Sequence, residues 1–294
     1  MPSKATRAKR PVKSAVDALG RDIEVPDPPL RIVSLVPSLT DLCFALGVGQ
    51  RVVGISDVCT EPRGQLDGIK RIGGEKRPSL PAIRELQPDL VLANKEENRR
   101  QDIDRLSDSG IAVHVSHPMT IEDGASLCAQ LGALVGRDQA GKALAREVRQ
   151  GRARARREAL AEAIDAVVLI WRDPFMTLSG ETYGHDVLEC LGARNPFASA
   201  RQRYPKVTLE AVVAQAPALI LLPDEPYAFT ANDAEQVARA VPTAVVLTCP
   251  GRPFFWHGPR AREIPELVRD IAARYQGERL TRTGAGSRPD RLPP

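Results

Sequence analysis

The chain has 294 residues, 43% of them apolar and 27% charged with both signs mixed, enough for one or two α/β domains with a full core. A formal net charge of +4 and only 4% aromatic residues, rarely interleaved with basic ones, argue against a nucleic-acid partner. No stretch reaches the roughly 18 apolar residues that a membrane helix requires, so no membrane insertion is expected. The five cysteines, Cys43, Cys59, Cys128, Cys190 and Cys249, are widely spaced and form no CxxC, a pattern that suits a reducing compartment.

In chain order, residues 1–17 read as a disordered basic tail. No apolar segment follows their charges, so no secretory leader is recognised and a cytoplasmic chain is expected, a periplasmic or extracytoplasmic one only if the true start lies upstream. A first lobe is expected over 18–137. It opens with a β-branched strand from Ile32 to Val36, a turn at Pro37 and Ser38, and a helix closing at Gly47. After the strand from Val52 to Ile55, the loop "SDVCTEP" carries Cys59 near Glu61. The stretch "SLPAIRELQPDLVLANKEEN" then reads as a helix capped by Ser79, a proline break and a buried strand. That strand runs into Lys95, Glu96, Glu97 and Asn98. Asn98 is either a ligand contact or the N-cap of the next helix. Residues 138–164 read as one linking helix whose Arg152–Arg157 run is a solvated face.

The second lobe is expected over 165–276, followed by a disordered tail over 277–294. Its first strand, Val167 to Trp171, runs into the loop "WRDPF" and a helix that ends at Gly192. Tyr204 follows with Arg201, Arg203 and Lys206 beside it, then "LPDEPYAF" with Glu225, Tyr227 and Phe229, and "FFWHG" with Trp256 and His257. "RIGGEK" is no phosphate loop and "LSGET" lacks the G-x-S-x-G elbow, so catalysis would require unrecognised chemistry.

An internal repeat relates the halves. One constant offset superposes "SLPAIRELQPDLVLANKEE" on "TLEAVVAQAPALILLPDEP", matching Leu80 with Leu209, Pro88 with Pro217, Leu92 with Leu221 and Glu96 with Glu225. Two open, mainly parallel sheets flanked by helices follow, and charged strand ends belong where such sheets bind ligands.

The segments "RIVSLVPSLTDLCFALGVGQRVVGISDVC", "PDLVLA", "MTLSGETYGHDVLECLGARNPF" and "YPKVTLEAVVAQAPALILL" resemble, in order over about 18–275, the class III periplasmic binding proteins, or helical-backbone metal receptors. "DALGRDIEVPDPP" is similar to their amino-terminal β-hairpin, and the branch most similar is cobalamin-binding-like. The resemblance implies an α/β fold of two Rossmann-like lobes with mainly parallel sheets, joined by a long interdomain helix. It implies non-catalytic binding of a metal-containing small molecule between the lobes, a corrinoid such as cobalamin first. The alternative is the substrate-binding component of an ABC importer for iron siderophore, haem or a metal ion. No catalytic cofactor is expected, and the chain is expected to be a monomer.

Positions matching the branch's cleft aromatics are Val58, Glu75, Asn94, Trp171 and Tyr204. The candidate ligand-binding set is Pro37, Ser38, Lys95, Glu96, Glu97, Asn98, Trp171, Tyr183, Tyr204, Glu225, Tyr227 and Trp256, with Cys59 and His257 as candidate metal ligands. The family's two permease-docking glutamates fall on Pro81 and Glu210, so only the second is present.

Overall fold

The computed structural model describes residues 10–284 and opens on a hairpin, β1 (Val12–Val16) antiparallel to β2 (Asp22–Pro26). The expectation of a disordered tail through residue 17 is therefore corrected from Val12 onward; residues 1–9 lie outside the described residues. The buried Asp17 closes the turn. Its carboxylate accepts the N–H groups of Leu19 and Arg21 and holds the Arg21 guanidinium by Nε at 3.0 Å and Nη2 at 2.6 Å. Lys13, one of the residues that suggested a solvated basic tail, donates from Nζ to the Ala133 carbonyl at 2.8 Å.

The chain divides into two compact units. One runs up to Pro118 and includes Asp123–Arg146; the other comprises Met119–Glu122 and the chain from Glu147 onward. The first contains β3 (Ile32–Ser34), α1 (Pro37–Ala45), β4 (Val52–Ile55), β5 (Lys70–Arg71), the small hairpin β6 (Gly73–Gly74) and β7 (Arg77–Pro78), α2 (Leu80–Glu85), β8 (Leu90–Asn94), α3 (Arg100–Asp108) and β9 (Val113–Ser116). Most of α4 (Ile121–Leu134) and the first half of α5 (Asp138–Ala155) belong to it as well. Its sheet has the order β5-β4-β3-β8-β9, parallel throughout. Val33, Leu35, Val91, Ala93 and Val115 pack with Ile83 of α2 and Ile103 and Leu106 of α3 in one apolar cluster.

The second unit contains β10 (Ile164–Val168), α6 (Tyr183–Cys190), β11 (Ala193–Arg194), α7 (Leu209–Ala214), β12 (Leu219–Pro223), α8 (Ala231–Ala240), β13 (Val245–Cys249), α9 (Arg252–Phe255) and α10 (Ile264–Gly284). Its sheet, β11-β10-β12-β13, is also parallel and follows the same winding as β4-β3-β8-β9. The repeat extends to backbone detail. Ser79 and Thr208 cap α2 and α7 by accepting the N–H of Ala82 and Ala211. Gln87 and Ala216 both turn left-handed, at φ 45° and 46°, before the prolines. β8 and β12 are then two fully buried strands of equal length. Burial on both faces is what a parallel sheet covered by helices requires, and it explains their unbroken apolar runs.

Two expected boundaries are corrected. The helix expected over 138–164 ends at Ala155, because Leu160 N–H pairs with the Leu191 carbonyl at 3.0 Å and draws the chain into an irregular connection before β10. The last helix continues through residues 277–284, where a tail is expected. Arg282 anchors it by donating to the carbonyls of Pro242 at 3.1 Å and Ala244 at 3.0 Å. Residues 285–294 lie outside the described residues. Among the described residues no helix is long and apolar enough to cross a membrane.

The glycines inside α5 mark close backbone approaches. A Cβ on Gly141 would lie 2.6 Å from the Cys128 carbonyl oxygen of α4, and one on Gly151 would lie 3.0 Å from that of Ala261. In α10, a Cβ on Gly277 meets nothing within 4 Å. Alanine in place of glycine favours a helix by about 1 kcal/mol, whereas overpacking against backbone costs roughly 1–3 kcal/mol. Gly277→Ala is therefore expected to raise, and Gly141→Ala to lower, the midpoint of urea unfolding; a rise in both would contradict the α4–α5 contact.

Candidate functional site

The strands of a parallel sheet end together, so the loops after β3, β4, β8 and β9 gather at one edge of the first unit. β8 ends on Asn94, which is buried, and its side chain organises the charged loop that follows. Asn94 Oδ1 accepts the N–H of Glu96 at 2.8 Å, and Asn94 Nδ2 donates to Ser116 Oγ on β9 at 3.3 Å. Asn98, also buried, folds back so that its Oδ1 accepts Asn94 N–H at 2.8 Å and its Nδ2 donates to the Glu75 carbonyl at 3.0 Å. The N-cap position of α3 is Arg99, with no side-chain cap, which corrects the N-cap expectation for Asn98. Its side chain is spent on the backbone of two neighbouring segments.

This clip leaves the carboxylates at the surface of the edge. Glu96 and Glu97 are half-buried and Lys95 is exposed. Glu96 lies 3.8 Å from His117 Nε2, and Lys76 Nζ donates to the Glu96 carbonyl. Burial pushes the Glu97 carboxyl above its usual range and the Glu96 charge adds to this, against the opposing pull of Lys76 and a hydrogen bond to Glu75. Val58 projects from the neighbouring loop, 49% exposed, while Pro37 is half-buried and Ser38 buried in the first turn of α1.

Cys59 lies beneath this edge. It is 1% exposed, and its Sγ sits 3.2 Å from both Thr40 Oγ1 and Ser56 Oγ. Burial pushes the thiol pKa up despite those hydroxyls, so the protonated thiol is favoured and thiolate ligation opposed. Among the described residues no three His, Cys, Asp or Glu side chains come together to hold a metal ion. His257 is buried in the second unit, edge-on to Tyr183 with centroids 4.9 Å apart. Burial of the thiol thus disfavours Cys59 as a metal ligand. Arg71, which the sequence did not single out, fixes the Cys59 loop by donating to the carbonyls of Ser56 at 3.0 Å and Cys59 at 2.7 Å.

The corresponding edge of the second unit is aromatic. Trp171, just beyond β10, is 42% exposed, so it is no core residue. Its ring meets Tyr227 edge-on at 5.6 Å, and Tyr227 meets Phe229 at 4.8 Å. Arg172 holds the Trp171 loop, pairing with Asp233 at the start of α8 and donating to Gln236 Oε1 at 2.6 Å. Glu225 departs from its twin Glu96. Its carboxylate accepts Trp256 Nε1–H at 2.8 Å and pairs with Arg252 at 3.4 Å, while Gly251 packs against its backbone. Trp256 is buried, with Arg252 and Arg260 over its ring, so it supports the loop and offers no open face. Tyr183 is buried at the start of α6, Tyr204 and Arg203 are half-buried, and Arg201 and Lys206 are exposed.

The structure thus groups Lys95, Glu96, Glu97, Val58 and Glu75 at one strand-end edge, and Trp171, Tyr227 and Glu225 at the other. Asn94, Asn98, Trp256 and Tyr183 lie beneath these surfaces. Lys76 and His117 join the first group without any sequence signal, since only the hairpin tip and the end of β9 bring them there.

Two parallel-sheet units of one winding, each presenting side chains from its strand ends, define a two-unit α/β ligand-binding protein. Residues 32–247 match the model of the periplasmic binding protein family, and the chain belongs to that family. The Vitamin B12-binding protein of Photorhabdus laumondii is 30% identical over 195 residues, covering 66% of this chain and 70% of that protein. Among solved structures, the periplasmic Vitamin B12 binding protein BtuF of Vibrio cholerae superposes with a TM-score of 0.73 at 23% identity, over 85% of this chain and 98% of that one. The periplasmic heme-binding protein RhuT from Roseiflexus sp. RS-1 superposes at 0.71 with 20% identity, over 84% and 98%. At these identities the structures establish the fold. The expectation of a cytoplasmic chain gains no support from relatives described as periplasmic.

A carboxyl whose pKa is raised on folding stabilises the fold below its unfolded pKa, and that contribution is lost as pH climbs through the folded value. Ionised Glu97 therefore weakens the unliganded protein near neutrality. Glu97→Gln is expected to melt at a higher temperature than the parent at pH 7.5, with the gain vanishing below about pH 4. A gain that is constant with pH in differential scanning calorimetry would show that the Glu97 charge is not its source.

Proposed function

We propose that the chain is a non-catalytic binding protein for a metal-containing small molecule held through its periphery, and that a corrinoid is its ligand. The observation that carries this is Trp171, 42% exposed just past a strand end, its ring edge-on to Tyr227, which in turn meets Phe229. An indole kept at the surface by a dedicated Arg172 anchor offers large apolar area at low entropic cost, which suits a flat macrocycle. The polar side chains of the other edge suit its hydrogen-bonding rim. The Vitamin B12-binding relative supports the corrinoid, and the buried Cys59 thiol disfavours a bare ion. Delivery to a membrane importer would rest on the exposed Glu210 in the first turn of α7, since the exposed Pro81 stands at the matching place in α2.

Cyanocobalamin, cobinamide, haem and a ferric siderophore, titrated separately, distinguish the ligands. A corrinoid is expected to quench tryptophan emission. Trp171→Ala is expected to weaken its binding by about 2 kcal/mol or more, roughly thirtyfold, while leaving the urea midpoint unchanged because the ring is not core. Corrinoid affinity unaltered by Trp171→Ala, or none in the parent protein, would refute the stacking role.

A further inference from the structure

Asn98 stands at the end of the charged loop, yet its side chain is committed inward. The amide oxygen accepts Asn94 N–H at 2.8 Å, its own N–H donates to the Asn94 carbonyl at 3.0 Å, and the amide nitrogen donates to the Glu75 carbonyl at 3.0 Å. The first two bonds close the loop that carries Glu96 and Glu97. The third crosses to the tip of the β6–β7 hairpin, whose base is held separately by Gly73 N–H on Asp57 Oδ1 at 3.2 Å and Asp57 N–H on the Gly73 carbonyl at 2.9 Å. Lys76 Nζ, donating to the Glu96 carbonyl, makes a second and more exposed strap from that tip to that loop. With the tip tied in this way, the Glu75 and Glu97 side chains are close enough to hydrogen-bond.

We propose that Asn98 is a positioning residue that sets the rim specificity of the bound chelate without touching it, by holding the Glu75 tip and the Glu96–Glu97 loop in one register. This rests on the function proposed above. Carboxyl oxygens in a fixed array accept hydrogen bonds from a rim of amide N–H groups and repel a rim of carboxylates. Free to move apart, the same oxygens lose the first effect and relax the second. Asn98 is 6% exposed, so its influence passes through the segments it straps.

The test uses the full chain and two probes of opposite rim chemistry, cobinamide with amides and haem with carboxylates. In Asn98→Asp the acceptor for Asn94 N–H remains, while a carboxylate faces the Glu75 carbonyl and the hairpin tip is released. The ratio of cobinamide to haem affinity is expected to fall at least fivefold, chiefly through loss of cobinamide binding, with tryptophan quenching at saturation retained. Lys76→Met, which cuts the exposed strap and also removes a cation beside Glu97, is expected to weaken cobinamide binding by a smaller factor. Equal weakening of both probes by Asn98→Asp, or cobinamide affinity unchanged in both variants, would overturn the proposal and reduce Asn98 to a stabilising residue. A parent protein that binds neither probe would overturn the proposed function itself, an outcome distinguishable because it appears before any substitution.

Discussion

Parallel strands that share a register must end side by side, and the arrangement of this molecule depends on that constraint. In β8 and β12 every residue is buried, so exposed side chains begin only past the carboxyl ends of these strands, where the backbone leaves the sheet and its polar groups need partners. The Asn94–Asn98 clip in one unit and the Asp224–Gly251 bond in the other supply such partners internally.

The two units resolve the same geometry with different chemistry. After β8, the buried polar side chains are two asparagines, and the carboxylates of Glu96 and Glu97 stay near the surface. After β12, the carboxylate at the matching position turns to Trp256 and Arg252, and the half-buried Tyr227 meets the exposed Trp171 that follows β10. One edge thus presents hydrogen-bonding side chains and the other an exposed indole.

The architecture was legible because it is duplicated. The offset relating Ser79 to Thr208 carries through both capped helices, the left-handed residues Gln87 and Ala216, and the bounds of both strands. What escaped were features set by partners distant in sequence. "VKSAV" reads as part of a basic tail because its pairing depends on Asp17 folding the chain back and on Ala133 receiving Lys13. The Arg152–Arg157 run looks like continuous helix because nothing local announces that Leu160 will pair with Leu191. Asn98 has the residue type and position of an N-cap, and only the return of the hairpin to offer the Glu75 carbonyl gives it another use. A loop cysteine likewise gives no hint whether it faces outward or, as Cys59 does, onto Thr40 and Ser56 beneath the edge.

The proposal of a corrinoid held by its periphery, with no protein ligand to the metal, is tested most directly by the absorption spectrum of cobinamide before and after binding. Peripheral binding predicts a stoichiometric complex whose cobalt-sensitive bands keep the positions they have in water and do not change between the parent protein and Cys59→Ser or His257→Ala. A band shift in the parent that either substitution abolishes would show a side chain on the cobalt and contradict the account.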